Sequence, residues 1–96
     1  MANTLELFEK LKRCCDELDA IYEMDQFRGD EKVIELKKYC LISPEFLSQL
    51  KQIYIDINLL RWEDIDAYRI LATTTDTCYV IEKVITGILI EEATEE

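Results

Sequence analysis

The chain has no histidine in 96 residues. That removes the Ser-His-Asp triad, the Cys-His dyad, imidazole ligation of zinc or haem, and the histidine pH switch. Basic residues are also scarce, 11 against 21 acids, for a formal charge of −10. Such a surface repels phosphates, so direct binding to nucleic acid or to an anionic membrane is not expected. Apolar runs are short. The longest, such as Gly87-Ile88-Leu89-Ile90, fall far below the ~18–20 residues that span a bilayer. No basic stretch precedes an apolar run near Met1, so no signal peptide is read and a cytoplasmic setting is expected. Two glycines and one proline leave few places to turn, which favours long helices with short connections.

What is present points to one small domain, with an expected radius of gyration of ~12–13 Å. Four cysteines, Cys14, Cys15, Cys40 and Cys78, show no Cys-x-x-Cys spacing. Adjacent Cys14 and Cys15 diverge by ~100° on a helix and chelate poorly, so neither metal nor other cofactor is expected. They are read as reduced thiols that pack as small apolar side chains.

Hydrophobic spacing predicts an all-α fold, a four- to five-helix antiparallel bundle with a long N-terminal helix and a short second helix. A first helix over 4–25 starts at the N-cap Asn3, with Glu6 three residues on. Phe8, Leu11, Cys15, Leu18 and Tyr22 form its seam, widened by Leu7, Cys14 and Ile21. At ~33 Å it should run the whole length of the body or project beyond it. Gly29 is expected as its left-handed cap and Asp30 as the N-cap of a helix over 31–41 carrying Val33, Leu36 and Cys40. Ser43-Pro44-Glu45 is a strong start signal for a third helix over 44–60. Leu47, Leu50, Tyr54 and Ile57 share one of its faces, with Phe46, Ile53 and Leu60 alongside. Ile55 and Leu59 lie off that stripe, so the helix should be central or be covered by a partner.

The register slips near Leu60, and a break is expected at Arg61-Trp62 before a helix over 63–73. The Thr73–Thr77 segment is capping chemistry rather than helix interior. A last helix over 76–91 repeats apolar pairs, Val80-Ile81, Val84-Ile85 and Ile88-Leu89, and the acidic tail 92–96 is expected to fray.

Three functional readings follow from the acids and aromatics. Asp16, Asp19 and Glu23, spaced i, i+3, i+7, form an acidic stripe beside the first seam. Glu63, Asp64 and Asp66 form a second one around Trp62 and Tyr68, with Arg61 adjacent. Tryptophan, tyrosine and arginine are the usual anchors of protein interfaces. The expected function is therefore non-catalytic: a small acidic binding protein of the inhibitor, immunity or adaptor type. Arg61, Trp62 and Tyr68 would dock on a basic protein partner while Asp16, Asp19, Glu23, Glu63, Asp64 and Asp66 steer it. A second reading makes the acids mimics of nucleic-acid phosphates that block a DNA- or RNA-binding enzyme, as a phage anti-defence protein would. A third pairs Glu6-x-x-Glu9 with Glu63-x-x-Asp66 as magnesium ligands, in the manner of all-α nucleotide pyrophosphatases. The excess charge is spread along the chain, −4 over residues 1–48 and −6 over 49–96. A hydrophobic fraction of 49% is high for so small a body, which favours a partner or a homodimer, for instance through the first helix.

Overall fold

A computed structural model describes residues 3–94. It holds five α-helices and, among the described residues, no strand: α1 Thr4–Ile21, α2 Asp30–Ile42, α3 Pro44–Glu63, α4 Ile65–Thr74 and α5 Thr77–Thr94. No helix is long and apolar enough to cross a membrane among these residues.

Apart from the eight-residue link from α1 to α2, the connections are as short as the scarcity of glycine and proline suggests. Ser43 alone joins α2 to α3, and Asp64 alone joins α3 to α4. Ser43 Oγ accepts from Phe46 N, with Pro44 in the first turn, as its sequence signal indicates. Asn3 Oδ1 likewise accepts from the amides of Leu5 and Glu6 at the start of α1.

The N-terminal helix is shorter than its seam predicts. It ends at Ile21, and Glu23 adopts a left-handed φ of 50°. The turn throws Met24 inward, where it is fully buried at the start of a 3₁₀ turn, Met24–Gln26. Burying methionine contributes ~1.5–3 kcal/mol, enough to offset a non-glycine residue in that conformation at ~1–2 kcal/mol. α1 is therefore ~27 Å long and does not project. Gly29, at φ 52° and ψ −121°, is the N-cap of α2 rather than a cap of α1, and Asp30 is the first helical residue. A β-carbon disfavours this backbone conformation, so glycine is required.

The break after α3 falls at Asp64, two residues beyond the expected Arg61-Trp62. Leu60 still accepts from the Asp64 amide, so the last turn of α3 stays closed through Glu63. The C-terminal end is also more ordered than expected: α5 runs to Thr94, past the predicted fraying point. Lys37 on α2 reaches Glu91 at 2.6 Å, and Lys51 on α3 reaches Glu92 at 3.0 Å. Two ion pairs thus tie down acids that sequence alone marks as a loose tail. Residues 95–96 lie outside the described range.

α1 runs antiparallel to α3: Lys10 pairs with Asp56 at 3.0 Å, while Tyr22 meets Phe46 edge to face, ring centres 5.1 Å apart. Tyr39 completes an aromatic cluster that ties the end of α1 to the α2–α3 corner. α3 and α5 each touch all the other helices. α5 buries Val80, Ile81, Val84, Ile85 and Ile88, two adjacent rows, because neighbours cover it on more than one side. Leu89, expected to extend this pattern, is partly exposed. α3 contributes Leu50, Ile57 and Leu60, and α1 contributes Leu11, Cys15 and Leu18.

The assembled body is a slab of 35 × 34 × 21 Å with a radius of gyration of 13.2 Å. Two helix layers fill the short dimension at ~10 Å each. A slab has little interior for its surface. Its accessible area, 6370 Å², exceeds the ~5,700 Å² usual for a monomer of 11.3 kDa.

Candidate functional site

The α3–α4 corner carries six of the nine residues singled out from sequence, and they divide into two groups. Asp64 and Tyr68 serve the fold. Asp64 Oδ1 accepts from Ala67 N at 3.1 Å and caps α4. The Tyr68 hydroxyl donates to both oxygens of Glu82 on α5, at 3.0 and 3.1 Å. The Arg61 guanidinium lies over the Tyr68 ring, 5.4 Å from its centre. Burial, reinforced by the Glu82 carboxylate, pushes the Tyr68 hydroxyl up to about 12, so it stays a donor at neutral pH.

Trp62, Glu63 and Asp66 face solvent. Trp62 is 89% exposed. Its companions on the helix are Ile55, 55% exposed, and Leu59, 39% exposed. Steps of four and seven residues keep the three within ~40–60° of arc, on the side of α3 away from the buried Leu50 and Ile57. Trp62 thus belongs to an apolar stripe, Ile55-Leu59-Trp62, on the outer face of α3, while the Tyr68 hydroxyl is turned to Glu82. Sequence reasoning omitted Ile55 and Leu59 from the site, although both fall off the core seam of α3 and share the phase of Trp62.

The other acidic stripe lies elsewhere. Asp16, Asp19 and Glu23 line an open cleft of about 640 Å³ with Ala20, Asp25 and Gln26. Glu23 lies beyond the end of α1, so the stripe is part helix and part turn. Asp19 accepts from the buried Thr77 hydroxyl at the start of α5. Asp16 approaches Lys12 loosely, at 3.8 Å. This cleft is at the Tyr22 end of α1, whereas Leu59 packs beside Asn3, Glu6 and Leu7 at the other end. About 18 Å of helix separates the two acidic regions, so they do not form one surface.

The acid pairs considered as magnesium ligands do not converge. Glu63 closes α3 and Asp66 opens α4, so the kink at Asp64 separates what a continuous helix would place one turn apart. Among the described residues, no group of three Asp, Glu, Cys or His side chains is placed to hold a metal ion. The four thiols are free. Cys15, Cys40 and Cys78 are buried, and burial raises them to about 12, 11 and 12. Cys14, half-buried, is raised by burial and then by Glu17.

No family model, curated protein or solved structure matches the chain.

Proposed function

We propose that this chain is a small non-catalytic protein-binding protein that docks through the outer face of α3 and the adjoining α3–α4 corner. The supporting observation is the exposed stripe of Ile55, Leu59 and Trp62 on a helix whose other faces are packed. Tryptophan in solvent stabilises nothing in the fold, and in an interface it is the most effective of anchors. Surrounding acids, Glu63 and Asp66 near by and Asp16, Asp19 and Glu23 at the far end, would raise the rate of encounter with a basic partner. The four free thiols fit a reducing, cytoplasmic setting.

The test is capture by the immobilised protein from its own cells, with wild type and Trp62→Ala side by side. The reading expects discrete proteins held by the wild type and lost by the variant, at unchanged thermal stability. It fails if both forms retain the same set.

One observation favours nucleic-acid mimicry as a second reading: Asp16, Asp19, Glu23 and Asp25 line a single cleft. In that case duplex DNA would compete the partner off, and Asp16→Asn with Asp19→Asn would weaken capture more than Trp62→Ala.

A further inference from the structure

Seven of the eleven basic side chains sit in ion pairs within the fold. Arg61 and Lys83 lie over tyrosine rings. The unpaired charge left at the surface is therefore mostly acidic, and this holds around the α3 stripe in particular. On the flank facing α1, Glu6 and Lys10 line a hollow of about 230 Å³ with Asn3, Leu7 and Leu59. Lys10 is already engaged by Asp56, at 3.0 Å. Glu63 continues that flank toward the corner and makes no ion pair among the described residues. On the opposite flank Lys51 is engaged by Glu92. The stripe is thus apolar along its centre and carries free carboxylates on the α1 edge, where Lys10 is paired; on the other edge Lys51 is paired and Arg61, still charged, is turned over the Tyr68 ring.

The spacing of the stripe adds a shape. Ile55, Leu59 and Trp62 occupy two helical turns, ~10 Å, in the i, i+4, i+7 pattern by which one helix receives the side chains of another. A second copy of this chain is a poor occupant, because it would bring together two bodies of charge −10. We infer that the outer face of α3 receives a basic amphipathic helix of a partner protein. The partner's apolar stripe lies on Ile55, Leu59 and Trp62. One of its lysine or arginine side chains enters the hollow beside Leu59 and meets Glu6, and another meets Glu63. This rests on the protein-binding reading above and gives the partner a chemistry.

Trp62, the only tryptophan, reports the event directly. The probes are two designed 18-residue helical peptides with the same leucine stripe, one flanked by lysine and the other by glutamate. The lysine peptide should shift Trp62 emission to the blue and bind at least about tenfold tighter than the glutamate peptide. Raising salt from 50 to 500 mM should weaken it. Leu59→Ser should remove the emission shift while thermal melting persists, and Glu6→Gln with Glu63→Gln should weaken binding about three- to tenfold. Equal affinity for both peptides overturns the basic-helix inference but leaves docking at this face intact. Binding of the lysine peptide without a Trp62 shift, or undiminished by Leu59→Ser, overturns it as nonspecific charge attraction. If neither peptide binds, the inference fails, and the capture experiment with Trp62→Ala still decides the broader reading. A mass that doubles with concentration in the wild type but not in Trp62→Ala overturns it in favour of a second copy.

Discussion

Lys32 of α2 sets its ammonium 2.7 Å from Asp76, just before the first turn of α5, and the two partners live in different surroundings. The lysine side chain is only 8% exposed, whereas the aspartate is 61% exposed. The four-carbon stem contributes apolar packing and the buried charge needs its anion. Asp76→Asn should therefore destabilise the fold by about 1–3 kcal/mol, less than for a fully buried pair because water reaches the aspartate side. Lys32→Met keeps the stem and removes the charge, so it should cost less than Asp76→Asn. Urea unfolding of the two variants and their double mutant measures the difference. Equal losses in both single variants would show that the pair, not the orphaned lysine, carries the energy.

Asp64 caps α4, which makes its contribution one of stability first. Asp64→Ala should lower unfolding free energy by about 1 kcal/mol, and Asp64→Asn, which can still accept from the Ala67 amide, by much less. Thermal melting of both variants, compared with Trp62→Ala, separates the cap from the proposed docking residue. Trp62→Ala should stay within about 0.5 kcal/mol of wild type, since the side chain is solvated in the free protein.

The thiols should react in two classes. Cys14 lies at the wall of the groove between α1 and α3 and is only half-buried. Cys15, Cys40 and Cys78 are buried. A thiol-specific reagent in excess at pH 8 should modify one cysteine per chain quickly and the other three only after denaturation. Mass spectrometry of the singly labelled form should place the adduct on Cys14. Simultaneous labelling of all four under native conditions would mean that the core opens far more readily than its packing implies.

Alkaline pH should destabilise the protein through the buried thiols. Burial holds Cys15 and Cys78 at about 12 and Cys40 at about 11. A folded value raised above the unfolded one, near 8.5–9, means that the fold favours the protonated thiol. That stability is complete below about pH 8.5 and is lost progressively as pH climbs toward the folded values. Between about pH 9.5 and 11 Cys15 and Cys78 should each remove about 1.4 kcal/mol per pH unit, and Cys40 should do so only up to about pH 10. Denaturant unfolding across this range should give a slope shallower by that amount for Cys78→Ala, whatever its loss at pH 7. Identical slopes would exclude this thiol as a source of the pH dependence.

Much of the architecture could be read from the residues alone. Apolar spacing identifies all five helices, because a side chain that must leave water repeats every three to four residues wherever the chain is helical. Local chemistry marks the Ser43 and Asn3 caps, since their partners are only two or three residues away. The candidate site was legible in part: Trp62 with its neighbouring acids, but not the stripe it belongs to. An exposed apolar residue and a core residue look alike until the helix is placed, so Ile55 and Leu59 could not be assigned to a surface.

Tertiary structure decided everything that depends on distant partners. The end of α1 at Ile21 follows from room for Met24 in the core. The order of Glu91 and Glu92 follows from lysines 54 and 41 residues away. The part that Tyr68 plays in the fold follows from a carboxylate on the next helix, fourteen residues away. The absence of histidine excludes imidazole chemistry by this chain whatever the fold, because no arrangement supplies a missing group. Which of the abundant acids and apolar residues remain free to act is a matter of pairing. Pairing is set by the way five short-linked helices flatten into a slab and leave one face of α3 uncovered.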